Sequence, residues 1–335
     1  MSNSEPVTVL NPFERVRALS AAMQREMGSR IVGQDDIVNS LVGALLIGGH
    51  VLLEGAPGLG KTALAKTLAD VVALKFSRVQ FTPDLMPADI LGTHMVSVDG
   101  AGRPSLTLQP GPLFANVVLA DEINRASSKT QSALLEAMQE RQITLGGTTH
   151  ALEAPFFVVA TQNPQESDGT YALPDAQLDR FLMKLVVPFP TEQEVMAIVA
   201  RTTRQYDFAV NKVAGAAQIL AASKTLRTLP VADPVLQYAV SVVFATHPTS
   251  PTATPLARKY LKHGASPRAA QALELVAKYH AILDGRFHAA VDDVRKAVLP
   301  CLRHRLVRNF DALADGVTAD DVLTEALKLV PASRA

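Results

Sequence analysis

The chain has 335 residues, 48% hydrophobic and 19% charged, with 32 basic side chains against 32 acidic ones. That length suggests about two domains of ordinary globular composition. A net charge of zero excludes capture of nucleic acid or an anionic membrane by bulk electrostatics, leaving only a local basic patch for such a role. The single cysteine, Cys301, excludes an internal disulfide and sits among helical residues, where it reads as a core filler. The start of the chain has no basic segment followed by a long apolar one, and no run of about 18 apolar residues occurs. No leader or membrane span is read, and a cytoplasmic location is expected.

In chain order, the first 12 residues read as a loose tail and a helix starts near Phe13. The segment "HVLLEG" (50–55) reads as a short buried strand. It runs into Gly55-Ala56-Pro57-Gly58-Leu59-Gly60-Lys61-Thr62, which fits G-x-x-x-x-G-K-[ST]. Glycines let backbone N–H groups converge on phosphate oxygens. Lys61 is suited to neutralise the β- and γ-phosphates, Thr62 to place a hydroxyl on Mg²⁺, and the helix that follows, through Ala63, to add its N-terminal dipole. Leu64, Leu68, Val71 and Val72 recur on one helical face, so the order is strand, loop, helix. ATP and Mg²⁺ are the ligands this pattern implies.

Two insertions follow with hairpin patterns. Residues 95–114 alternate around an Asp-Gly-Ala-Gly turn, and residues 141–155 turn at Gly146-Gly147. Neither carries an aromatic at its tip. Between them, "NVVLADEINRA" (116–126) fits a central parallel strand over Val117 to Ala120. Asp121 at its end suits the Mg²⁺ shell, and Glu122 beside it suits polarisation of an attacking water. Carboxyl ends of parallel strands are where open α/β sheets bind ligands. A third apolar run, 156–164, ends in Asn163, which is suited to orient water. A fourth follows Asp179-Arg180, and Arg180 is suited to reach a neighbouring subunit's nucleotide; the plainer alternative is a salt bridge with Asp179 or Asp175.

Pro190 stops the fourth strand, and Thr191 with Glu194 makes a capping box, so a boundary is drawn at 189/190. An α/β nucleotide-binding domain with an N-terminal helix is thus expected over 1–189. An all-α lid is expected over 190–335. Asp233 reads as a helix cap with Pro234 first in the helix, and Ser266 with Pro267 repeats the arrangement. Arg268 then lies in a first helical turn, where a cation opposes the helix dipole and a phosphate partner makes sense of it. The Pro/Thr-rich stretch 246–255 reads as a mobile connection. The basic stretches "ARKYLKHG" and "LRHRLVR" read as solvated helix faces. His280 and His288 lie too far from any third ligand to suggest a metal other than Mg²⁺.

With "GAPGLGKT", "LADEINRASSKTQSALLEAMQERQ", "ATQNPQESDGTYALPDAQLDRF" and "GASPRA" in view, nearly the whole chain resembles the MoxR-like family of AAA+ ATPases. The resemblance implies a P-loop core with a parallel sheet between helices and inserted β-hairpins, followed by a small helical lid. It gives Asn163 the place of sensor 1 and Arg268 that of sensor 2. Arg180 takes that of the arginine finger, with Arg125 as another trans candidate. Ile31, Val32 and Gly33 resemble the segment that packs on adenine. Ser127-Ser128 stand where relatives often carry Pro-Pro, and Ala172 where Pro is usual.

The implied activity is ATP hydrolysis by a homo-oligomer, six subunits being the family expectation. Glu122, Lys61, Asn163, Arg268 and a trans Arg180 form the implied catalytic set. The implied job is remodelling or maturing a client protein, or helping to insert a metal or cofactor. A partner with a von Willebrand factor A domain is implied too, and hairpins directed toward a central pore. Two other readings stay open: a nucleic-acid motor or clamp remodeller of the same superfamily, which neutral charge counts against, and a nucleotide-gated assembly scaffold.

Overall fold

The computed structural model describes residues 11–98, 104–163, 171–203 and 209–332. The N-terminal tail through residue 10, the turn expected at 99–102 and residues 164–170 of the third block lie outside the described residues.

Five parallel strands form the centre: β1 Val51–Glu54, β2 Phe76–Gln80, β3 Val117–Asp121, β4 Phe157–Gln162 and β5 Met183–Val186. Their order is β5-β1-β4-β3-β2. A parallel sheet needs cover on both faces, which is why its strands read as continuous apolar runs. The period-two pleat sorts those runs. Val51, Leu53, Val117, Leu119, Phe157 and Val159 enter one buried cluster; Leu52, Val118, Ala120, Val158 and Ala160 enter the other. The first face is covered by helices Pro12–Arg30, Asp35–Ile47 and Lys61–Val71, and the second by Ser128–Glu140.

Both expected hairpins are present. Gly92–Val98 pairs antiparallel with Pro104–Pro110, and Gln142–Leu145 with Thr148–Ala151. The second turns through Gly146 and Gly147 at φ 54° and 83°, the positive values that a two-residue hairpin turn requires. The hairpins meet at His94 and His150, with ring centroids 6.3 Å apart.

After β5 the described chain is helical apart from three short strand segments. The Thr191 amide donates to Glu194 Oε2 at 2.7 Å and the Glu194 amide to Thr191 Oγ1 at 3.4 Å, the expected capping box. Those Thr191 contacts, the backbone N–H foremost, hold the Glu194 carboxyl below its ordinary pKa. A division at 189/190 separates sheet from helices along the chain but not in the core. Leu41 and Leu45 of an early helix share one buried cluster with Leu226, Leu273 and Val298 from the C-terminal helices.

Three local expectations change. Asp233 is the first residue of its helix, Asp233–Ala245, rather than its cap; its carboxylate there complements the helix dipole. The 246–255 stretch is a packed connection: Thr246, Ser250 and Thr254 are buried. The Arg258 guanidinium donates to the carbonyls of Ser250, Pro251 and Ala253. In "LRHRLVR", His304 and Arg305 are buried, not solvated. Burial pushes the His304 imidazole well below its usual pKa, and the Arg305 charge adds to the effect. Cys301 is a core residue as expected, its thiol pushed up to about 12 by burial.

Candidate nucleotide site

The phosphate loop leaves β1 at its carboxyl end. Gly58 and Gly60 sit at φ 82° and 79°, with open space where a Cβ would stand. Gly55 lies so close to β5 that a Cβ would come within 3.1 Å of the Val187 carbonyl oxygen. Gly60 caps the Lys61–Val71 helix without any side-chain hydrogen bond. The helix thus opens directly at the end of the phosphate loop, the arrangement that receives an anion. Lys61 Nζ donates to the carbonyls of Gly55 and Ala56, within the loop itself. Gln34 Nε2 donates to the Leu59 carbonyl at 3.2 Å. This bond ties the segment after Ile31, Val32 and Gly33 to the phosphate loop.

Both acids stand at the end of β3, two strands from β1 with β4 between them. Thr62 Oγ1 donates to Asp121 Oδ2 at 3.2 Å. A hydroxyl and a carboxylate in that relation form a hard-oxygen donor set of the kind Mg²⁺ takes, so the residues fit the ion. Arg78 donates to the same Asp121 oxygen, at 2.8 Å from Nη2. Thr161 Oγ1 donates to Asp121 Oδ1 at 2.6 Å and accepts the Glu122 amide at 2.8 Å. One hydroxyl thus fixes both acids. Glu122 adopts φ 56°, in the left-handed region, a strained backbone of the sort found at functional sites. Gln80 Nε2 and Arg125 Nη1 both donate to its Oε2, at 2.7 and 3.0 Å. Arg125 is therefore engaged within its own chain. Asn163 is buried directly after β4. Lys61, Thr62, Asp121, Glu122 and Asn163 all gather at the carboxyl edge of the sheet.

Arg180 and Arg268 do not. Arg180 precedes β5, and the Leu182 amide two residues on donates to the His50 carbonyl just ahead of β1. Arg180 and Arg268 line one cleft with Gly48, Gly49, His50, Arg141 and Arg305. This is the amino edge of the same parallel strands, and β1 alone spans four residues, about 13 Å at strand rise. Arg268 therefore stands at the opposite edge of the sheet from its own chain's Lys61. The salt-bridge alternative for Arg180 is also not met: Asp179 pairs with Arg268 at 3.5 Å and Arg305 at 2.8 Å. Arg180 makes no ion pair among the described residues, and its buried Nε has no hydrogen-bond partner. As expected, Ser266 caps the Arg268 helix, accepting the Arg268 amide at 3.2 Å, with Pro267 next.

Sequence reading missed Arg78, Gln80 and Thr161. The signal for the first two was present but weak: residues 78 and 80 of a short strand share a face by the period-two rule. Thr161 had no signal beyond sitting at a strand end.

A phosphate loop at a strand–helix junction, with paired acids at the end of another strand of the same parallel sheet, defines an α/β P-loop nucleotide hydrolase. Residues 50–183 match the family model for the ATPase family associated with various cellular activities (AAA), and residues 254–326 match that for the AAA lid domain. The chain is 43% identical to chaperone MoxR1 of Mycobacterium tuberculosis, over 90% of this chain and 78% of the relative. It is 31% identical to the protein MoxR of Paracoccus denitrificans, over 82% and 85%. The crystal structure of a putative ATPase from Cytophaga hutchinsonii superposes with a TM-score of 0.88 at 36% identity, covering 96% of each chain. The chain belongs to the MoxR-like family of AAA+ ATPases and is an ATP-hydrolysing enzyme.

Proposed function

We propose that this ATPase works as an oligomer whose nucleotide sites are shared, and that it spends ATP on remodelling a protein client. One observation carries the shared site: the phosphate loop and acids occupy the carboxyl edge of the sheet while Arg180 and Arg268 occupy the amino edge. A copy related by rotation about a ring axis can turn its amino edge toward the next copy's carboxyl edge, a heterologous contact that closes. Both arginines then serve in trans, which supports Arg180 over Arg125 as the finger.

In this reading ATP sits on Gly55–Ala63 with its base against Ile31, Val32 and Gly33. Lys61 leaves the Gly55 and Ala56 carbonyls for the β- and γ-phosphates. Thr62 and Asp121 hold Mg²⁺, which neutralises charge on the phosphate oxygens. Glu122 accepts the proton of the attacking water once Gln80 or Arg125 releases its Oε2, and Asn163 orients that water. The neighbour's Arg180 and Arg268 stabilise the charge that develops on the γ-phosphoryl group.

A protein client is supported by the first hairpin, which exposes Met95, Val96 and Leu106, the last at 72%. Val96 and Leu106 are paired on one face of the hairpin and Met95 lies on the other; exposed apolar side chains with no aromatic fit a sequence-tolerant polypeptide contact better than base stacking. One relative is named a chaperone, and we extend that role to this chain on those exposed side chains. A six-membered ring, a partner with a von Willebrand factor A domain and help with metal or cofactor insertion complete the proposal by family resemblance. Burial withdraws His304 and Arg305, two of the four basic groups of "LRHRLVR", from any nucleic-acid surface.

The test is ATPase activity against protein concentration, with light scattering on wild type, Glu122→Gln and Arg180→Ala. Specific activity that rises with assembly, and an Arg180→Ala variant that binds ATP but does not turn it over, support the shared site. Concentration-independent activity with a silent Arg180→Ala overturns it.

A further inference from the structure

Arg305 is the most completely engaged cation in the described structure, and the nucleotide chemistry above does not use it. It is 7% exposed, and a guanidinium has five N–H donors. Nε donates to Asp179 Oδ1 at 2.8 Å. Nη2 donates to the carbonyls of Asp179 at 3.2 Å and Phe181 at 2.7 Å. Nη1 donates to the Leu182 carbonyl at 3.3 Å and to the Cys301 carbonyl. Four of the five bonds thus grip residues 179–182, the turn that carries Arg180. The fifth returns to the last turn of Val291–Leu302, the helix that Arg305 follows.

The same turn is held from two more points in the C-terminal helices. His304 Nε2 donates to the Phe181 carbonyl at 3.0 Å. Ser266, cap of the Arg268 helix, donates to both Asp179 oxygens at 2.8 and 2.9 Å. Asp179 is therefore the hub between the helix start bearing Arg268 and the turn bearing Arg180. Arg180 itself keeps its side chain out of the network, with its flanking residues clamped and its guanidinium unpaired among the described residues.

We propose that Arg305 is a positioning residue that locks the Arg180 turn and the Arg268 helix to the C-terminal helical bundle. The two arginines a subunit presents to its neighbour then move as one rigid piece with that subunit's own lid. A fully used planar fork on backbone carbonyls is work that Lys, with three rotatable donors, cannot reproduce. The proposal rests on the shared-site reading above, deepening it with a residue that touches no nucleotide.

The experiment is subunit mixing, using differently tagged, co-purified assemblies of the full chain. Glu122→Gln subunits have a dead site and intact arginines. Arg305→Gln subunits have an intact site and unanchored arginines. Each alone is expected to turn over ATP at less than about a tenth of the wild-type rate, Arg305→Gln with unchanged ATP affinity. Mixed, they are expected to recover activity, because an Arg305→Gln phosphate loop can face a neighbour with anchored arginines. Arg180→Ala mixed with Glu122→Gln runs in parallel. Recovery in both mixtures supports the proposal. Recovery with Arg180→Ala but not with Arg305→Gln, or wild-type activity of Arg305→Gln alone, overturns it. Failure of the Arg180→Ala mixture instead overturns the shared-site reading. If Arg305→Gln does not fold, Asp179→Asn takes its place with the same expectations and the same overturning result.

Discussion

The two edges of the central sheet are built in different ways. At the carboxyl edge Asp121, Glu122 and Asn163 lie at or directly after the ends of apolar strands, and Lys61 and Thr62 open the helix that follows the phosphate loop. Their partners are short: Thr62 to Asp121, Thr161 to both acids, Gln80 to Glu122. At the amino edge the groups come from residues 179–182, 266–268 and 304–305, joined only by packing of the C-terminal helices against the sheet. Chemistry at the first edge is set by strand register; at the second it is set by how a helical bundle is docked. Substitutions at the two edges should therefore fail differently, the first within a subunit and the second between subunits.

The largest effect separates chemistry from binding at the carboxyl edge. Glu122→Gln is expected to lower turnover by more than about 100-fold while leaving ATP affinity within a few-fold of wild type, read by single-turnover kinetics against nucleotide titration. Retained turnover would remove Glu122 from its role. Next comes the amino edge: Arg268→Ala is expected to lower kcat about 100-fold or more with unchanged ATP affinity in the isolated subunit. If it weakens ATP binding in a monomeric preparation, Arg268 acts in its own chain and the contrast between the edges collapses.

Smaller effects sharpen the picture. Thr161→Val removes one hydroxyl that serves both acids, and should cost about 1–3 kcal/mol in stability and about tenfold in kcat; denaturant melts and turnover measure the two. Gln80→Leu frees one hold on Glu122 and is expected to raise basal turnover a few-fold without changing the KM for ATP. A fall instead would mean that Gln80 positions Glu122 productively.

His50 reports on the packing of the amino edge. Its Nδ1 accepts the Val158 amide and its Nε2 donates to the Met138 carbonyl, and burial lowers its pKa from 6.5 to about 4. The folded state holds it neutral while the unfolded state takes up a proton below 6.5. The stability it contributes is therefore whole above 6.5 and declines as pH falls from 6.5 toward 4, by about 2 kcal/mol between pH 7 and pH 5. Denaturant melts at those two pH values should show a shallower difference in His50→Gln.

Much of the carboxyl edge was legible because its chemistry is local. Gly55 through Thr62, then Asp121-Glu122 and Asn163, each announce themselves as a polar group ending an apolar run, and strand polarity brings such ends together in any parallel sheet. The hairpin at Gly146-Gly147 was legible for the same reason: a two-residue turn is decided by φ at two positions. The solvated-face reading of "LRHRLVR" went astray because charge in a sequence carries no burial. Arg305 is buried only because four acceptors of a turn more than 120 residues earlier meet its guanidinium.

By itself the sequence determined the ATPase family, the phosphate loop, the acids and the capping of the Thr191 and Ser266 helices, all of which depend on neighbours a few residues away. Only the tertiary structure decided which edge of the sheet each arginine occupies, that Asp179 binds Arg305 and Arg268 rather than Arg180, and that Thr161, Arg78 and Gln80 close around the acids. Those outcomes depend on strand order and on the docking of the C-terminal helices, and a contact between residues far apart in the chain is chosen by the packing of the whole core.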